Sequence, residues 1–197
     1  MVQSLFIVSH LQSSSNKLVD CLSQNRRIMF YRMNKQYDHP DVLFELMTLE
    51  HDLRNNSAVY ADHLLFNIDF ACPAIYKISN FVYFIRDPKQ TLGLIIKNHN
   101  FNIEKAYSYY IFRIRRIYEM YRDSGGVFFT WDDLFNNRDQ IKSDLEDYLQ
   151  FDINLNLNLE YEDNSSVIPR DVLKKSEKIY EKYFFHMREI NEKRNKK

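Results

Sequence analysis

FVYFIRDPKQTLGL, residues 81–94, decides the fold. Phe81-Val82-Tyr83-Phe84-Ile85 is β-branched and aromatic and of strand length. It is apolar on both faces, which suits a strand covered on both sides in a parallel sheet. Arg86-Asp87-Pro88 breaks the run at the strand's carboxyl end. Pro88 fits the first turn of a helix, where no N–H is needed and φ is already right. Leu92, Ile95 and Ile96 continue at helical spacing, so a helix is expected over residues 89–98. Ligands of open α/β sheets bind at the carboxyl ends of strands. An arginine fixed there can pair two phosphate oxygens with its planar fork. An Arg86–Asp87 pair that merely trims the strand end is equally compatible with the spacing.

The same grammar recurs on either side. Leu5-Phe6-Ile7-Val8 reads as a first parallel strand. Ser9 to Lys17 follows as a polar loop, then a helix patterned by Leu18, Val19 and Leu22. A serine can cap that helix, and its free N–H groups and dipole favour an anion. Val127-Phe128-Phe129-Thr130 reads as a further buried strand. It follows a long helix over residues 103–122 that stops at Ser124-Gly125-Gly126. Thr130 and Asp133 have capping-box spacing. Ile28–Tyr31 reads as a strand or an extended linker, and Ser57–Leu65 as a short strand running into a loop. Residues 41–54 and 66–75 read as helical, the second closing near Pro73. Ile153–Leu159 alternates apolar and polar residues, as a half-buried strand or an Asn-rich insertion. A final helix is expected from Pro169 to about Lys193, with residues 185–197 fraying into a basic tail. The whole is an α/β fold, a mostly parallel central sheet flanked by helices.

Composition narrows the function classes. The 197 residues fit one domain, and 45% hydrophobic content with 15% aromatic content supports a packed core without staples. Lys+Arg 27 balances Asp+Glu 27, which disfavours a nucleic-acid binder. Cys21 and Cys72 form no CxxC and read as two buried thiols. His39, Glu50 and His51 lack metal-ligand spacing, so no metal is expected. No apolar run reaches membrane-spanning length and the N-terminus lacks signal-peptide character, so a cytoplasmic, non-membrane setting is the expectation. The chain has only three glycines, Gly93, Gly125 and Gly126. The Walker pattern laid from Ser9 therefore fails, which argues against a P-loop kinase.

Four segments together resemble the sulfotransferases, a P-loop NTPase-like α/β family. FVYFIRDPKQTLGLIIK resembles the segment that grips the 3′-phosphate of 3′-phosphoadenosine-5′-phosphosulfate (PAPS), with Arg86 at the arginine and Leu94 where the family has serine. Leu11-Gln12-Ser13-Ser14-Ser15-Asn16 is similar to the loop that holds the 5′-phosphosulfate, with Gln12 at the basic position. Ala61-Asp62-His63-Leu64 is similar to the segment whose histidine is the general base. Trp131-Asp132-Asp133-Leu134 resembles a structural segment, so Asp132 and Asp133 receive no catalytic role. The resemblance covers about residues 5–150, and the family's C-terminal Arg-Lys-Gly motif is absent.

The resemblance implies transfer of a sulfuryl group from PAPS to a hydroxyl or amine of a small molecule or glycan. His63 would be the base, in an accessible position between the loop and Arg86. Gln12, Ser13, Ser14, Ser15, Asn16 and Arg86 would hold the donor. Arg113 and Arg116 share a helix face, which reads as solvated or as a further phosphate contact. Gln12 and Leu94 also fit a second reading, a degenerate relative that binds a nucleotide or protein partner without catalysis.

Overall fold

A computed structural model describes residues 3–30, 42–43, 59–65, 68, 73–157 and 167–195. Its strands are β1 (Gln3–Val8), β2 (Ile28–Phe30), β3 (Val59–Leu64), β4 (Asn80–Ile85) and β5 (Val127–Thr130). They form one sheet in the order β2-β3-β1-β4-β5, and every described pair is parallel. Leu5, Phe6, Ile7 and Val8 are all fully buried, as a central strand covered on both faces requires. The chain leaves β1 toward one edge of the sheet and later returns to its other side as β4. The switch point therefore lies beside the carboxyl ends of β1 and β4.

The helices are α1 (Ser15–Ser23), α2 (Pro73–Ile78), α3 (Pro88–His99), α4 (Ile103–Ser124), α5 (Trp131–Asn136), α6 (Arg138–Leu149) and α7 (Arg170–Asn195). Side chains alternate across each strand, so the sheet feeds two cores. Phe6, Val8, Phe81, Tyr83 and Ile85 pack with α3, α4 and α7. Leu5, Ile7, Val82, Phe84 and Phe129 pack with α1, α5 and α6. On the first face the rings of Phe6, Phe81 and Tyr83 stack in series at 5.6 and 5.8 Å. Each such ring, fully buried, contributes about 1.5–3 kcal/mol.

Three expectations are corrected. Pro73 opens a helix rather than closing one, which suits its missing N–H. Ile153, Leu155 and Leu157 are buried and alternate with exposed residues, yet they join no sheet. Their alternation reports a two-faced extended segment laid over the second core, where the Cys21 thiol donates to the Asn154 carbonyl at 2.8 Å. The C-terminal stretch expected to fray is helical to Asn195. Met187 is buried there, Arg188 bonds Asp133, and Arg194 lies 5.0 Å over the Tyr121 ring. All of the helix expected at 41–54 except the helical residues 42–43, most of that expected at 66–75, Cys72, and His39, Glu50 and His51 lie outside the described residues.

Candidate functional site

The carboxyl edge carries the polar residues that the sequence singles out. Ser9 extends the β1–β3 ladder by donating its N–H to the Leu64 carbonyl at 3.1 Å. The chain then turns through Gln12 and Ser14, both left-handed at φ 59° and 65°, before α1 begins. Serine can adopt this conformation, at some steric expense that glycine would avoid. The β1–α1 turn is thus built with no glycine.

His63 lies in β3 itself, and its side chain points to the α1 face. Its Nε2 lies 3.0 Å from Ser9 Oγ and 2.8 Å from Ser15 Oγ. Ser9 Oγ and Ser15 Oγ are 2.7 Å apart, and the Ser13 hydroxyl donates to Ser15 Oγ at 2.9 Å. The expectation of an accessible ring does not hold: His63 is 4% exposed and the loop closes over it. Burial, and then the Arg113 charge, lower its pKa to about 4, so it is neutral at pH 7. Ser13 and Ser15 are also buried, with their hydroxyls turned inward to this network. Gln12 and Ser14 are partly exposed and Asn16 is exposed. The Gln12 amide lies against the end of α3, 3.0 Å from His99 Nε2, and its oxygen accepts from Asn98 at 3.3 Å.

Arg86 sits directly after β4 and is 2% exposed. Its Nε–H donates to Gln90 Oε1 at 2.7 Å, and Nη1 donates to Ser14 Oγ at 2.9 Å. Its guanidinium lies 4.6 Å over the Trp131 ring. Asp87 caps α3, accepting from the Gln90 N–H at 3.1 Å, while burial pushes its carboxyl pKa up. Leu94 is a buried residue of α3.

Four further residues complete the edge. His10 Nε2 accepts from the Arg86 N–H at 2.9 Å, and its Nδ1 lies 2.9 Å from the Leu11 carbonyl. A backbone N–H can only donate, so the proton resides on Nδ1. Burial lowers the His10 pKa to about 4. Tyr109 Oη accepts from the Leu11 N–H at 2.9 Å, and Tyr110 donates to the Arg86 carbonyl at 2.8 Å. Arg113 is buried and donates to the carbonyls of Ser9 at 2.7 Å and Leu64 at 2.6 Å. Arg113 is thus no solvated residue, whereas Arg116 pairs with Glu119 at 2.8 Å. The Tyr109, Tyr110 and Arg113 contacts are masked in the sequence by a broad apolar stripe of α4, and His10 by the serines around it. Histidine beside a strand end, and arginine one turn beyond two tyrosines, were the available signals.

The edge thus joins a β1–α1 loop to an arginine after β4, across the switch point of a 2-3-1-4-5 parallel sheet. The same architecture is found in solved structures. A sulfotransferase from Alicyclobacillus acidocaldarius is similar with a TM-score of 0.55 at 12% identity, over 95% of each chain. This is the sulfotransferase fold. Mouse sulfotransferase SULT7A1, solved as a complex with PAP, is similar with a TM-score of 0.54 at 13% identity over 77% of the present chain. The present chain spans 60% of the length of that mouse protein. No protein-family profile and no curated protein sequence matches. Among the described helices of this sulfotransferase-fold chain, none is long and apolar enough to cross a membrane.

Proposed function

We propose that the chain is a sulfotransferase-like protein that binds 3′-phosphoadenosine-5′-phosphosulfate at the carboxyl edge and transfers its sulfuryl group to a hydroxyl or amine. The observation that carries this reading is the hydrogen bond from Arg86 to Ser14, which brings the two donor-gripping segments together on a sulfotransferase fold. The PAP bound by the mouse structure supports a nucleotide of that class. Backbone N–H groups at the start of α1, with Gln12, Ser14 and Asn16 around them, would face the 5′-phosphosulfate. Arg86 would hold the 3′-phosphate, which requires it to exchange an internal partner for a phosphate oxygen. Ser13 and Ser15 would act from below the loop rather than as outward ligands.

In the transfer, the acceptor oxygen or nitrogen attacks sulfur while the bond from sulfur to the bridging phosphate oxygen breaks. The bisphosphate leaves with that electron pair, and the acceptor's proton needs a base. His63 has a neutral ring for this, and it would receive the proton through the Ser15 or Ser9 hydroxyl, since both stand between Nε2 and the loop. The acceptor class is a small molecule or a glycan.

The burial of His63 specifically favours a second reading, a nucleotide- or partner-binding relative without catalysis. A ring with a pKa near 4 is a weak base at neutral pH. Transfer of labelled sulfuryl from PAPS to a broad acceptor panel separates the two. The prediction is measurable transfer by the wild type, lost by about 10²–10⁴ in His63→Ala, with PAP binding retained. Binding without transfer to any acceptor would select the second reading.

A further inference from the structure

The two segments expected to hold the nucleotide are linked twice. One link is the Arg86 guanidinium, whose Nη1 reaches Ser14 Oγ at 2.9 Å and the Gln12 carbonyl at 3.5 Å. The other runs through His10, and it fixes the backbone on both sides. His10 belongs to the β1–α1 loop, and its Nε2 takes the N–H of Arg86, 76 residues away. Its Nδ1–H is held by the carbonyl of Leu11, whose own N–H goes to Tyr109. The ring stands edge-on to Tyr110 at 5.3 Å, and Tyr110 takes the carbonyl of Arg86. Both backbone groups of Leu11 and both of Arg86 are therefore satisfied by three side chains, His10, Tyr109 and Tyr110. His10 is fully buried, so no ligand competes for either nitrogen.

We propose that His10 is a positioning residue that couples the β1–α1 loop to Arg86, so that the two phosphate-bearing ends of a 3′,5′-bisphosphorylated adenosine are gripped as one unit. This rests on the donor reading above. The physical basis is preorganisation. A ligand held at two points gains most when the distance between the two grips is already set, and loses that gain when each grip must be ordered separately. A 5′-monophosphate uses only one grip, so it should be indifferent to the coupling.

Two near-isosteric variants separate coupling from packing. In His10→Gln the terminal amide reaches the position of Nε2 and its oxygen can accept from the Arg86 N–H. In His10→Asn the amide reaches only the position of Nδ1, so it can serve Leu11 but not Arg86. The affinities of the full chain for 3′-phosphoadenosine-5′-phosphate and adenosine 5′-phosphate are measured by calorimetry. The expected result is that the ratio of the two affinities falls at least about fivefold in His10→Asn and stays near the wild-type value in His10→Gln. An unchanged ratio in His10→Asn, or an equal fall in both variants, overturns the coupling and leaves His10 a packing residue. If the wild type binds neither nucleotide, the donor reading fails. The coupling is then decided by amide hydrogen exchange, with faster exchange at Arg86 in Asn than in Gln as the supporting result and equal exchange as the overturning one.

Discussion

The two edges of this one sheet are closed by different means. At the amino edge the bonds are exposed or half-buried, whether local or long-range: Asn25 donates to the Asp152 carbonyl, and Phe81 donates its N–H to Tyr148. Asn25 accepts from the Arg27 N–H at 2.9 Å and gives its carbonyl to the Ile28 N–H at 3.0 Å, which starts β2. Gly126, at φ 112°, passes so close to β4 that any Cβ there would collide with the Phe81 carbonyl oxygen. At the carboxyl edge the long-range closures are largely buried. Tyr109 reaches Leu11 over 98 residues, and Arg113 reaches Ser9 over 104. An exposed bond that breaks is replaced by one to water. A buried long-range closure needs the whole sheet to be in register first, and it holds donors and acceptors where no water replaces them. The carboxyl edge should therefore be the more fragile and the more sensitive to protonation.

The largest effect is predicted for Arg113→Met. It keeps much of the volume but strands the carbonyl of Ser9, at about 1–3 kcal/mol, and takes one of two donors from the Leu64 carbonyl, which keeps the Ser9 N–H, at about 0.5–1.5 kcal/mol. Denaturant unfolding should report a loss of about 1.5–4.5 kcal/mol, a sum of those two terms. A loss under about 1 kcal/mol would mean that the edge is closed by other groups.

Acid should act on the same edge. The His63 and His10 pKa values are lowered from 6.5 to about 4 by burial. The unfolded chain therefore binds protons that the folded chain does not, and stability falls as pH drops from about 6.5 toward 4. In His63→Gln part of this dependence should vanish. At pH 5 its stability relative to wild type should improve, compared with pH 8, by on the order of 2 kcal/mol. Equal pH profiles for the two proteins would show that the ring titrates normally.

Gly126→Ala adds a strained backbone, at about 1–3 kcal/mol, to a Cβ that must push the Phe81 carbonyl aside. Its effect belongs to the amino edge, so nucleotide affinity of the folded protein should not change. A change in affinity would show that the two edges communicate, and the contrast drawn here would fail.

This contrast also explains what could be read in the sequence. The strands at Leu5–Val8, Phe81–Ile85 and Val127–Thr130 were legible because parallel strands covered by helices are apolar on both faces, a pattern visible within five residues. The capping box at Thr130 and the glycine stop at Gly125-Gly126 were legible for the same reason, since both are local. Arg86 and Ser14 were legible as separate candidates, and their contact was not. His63 could be placed near the loop, but its burial under Ser9 and Ser15 depends on which face of β3 carries it, and Ser57–Leu65 does not alternate clearly enough to say. Tyr109, Tyr110 and Arg113 lie in a helix whose aromatic stripe reads as core, and core it is. Only the fold shows that their polar tips emerge at the strand ends.

The central claim is that Arg86 and the β1–α1 loop form one nucleotide site, and calorimetry with 3′-phosphoadenosine-5′-phosphate on wild type and Arg86→Ala tests it most directly. A hydrogen-bonded charge contributes about 1.5–3 kcal/mol, so the account predicts binding by the wild type and a loss of about 10- to 150-fold in Arg86→Ala. No binding to the wild type, or equal affinity for the two proteins, would contradict it.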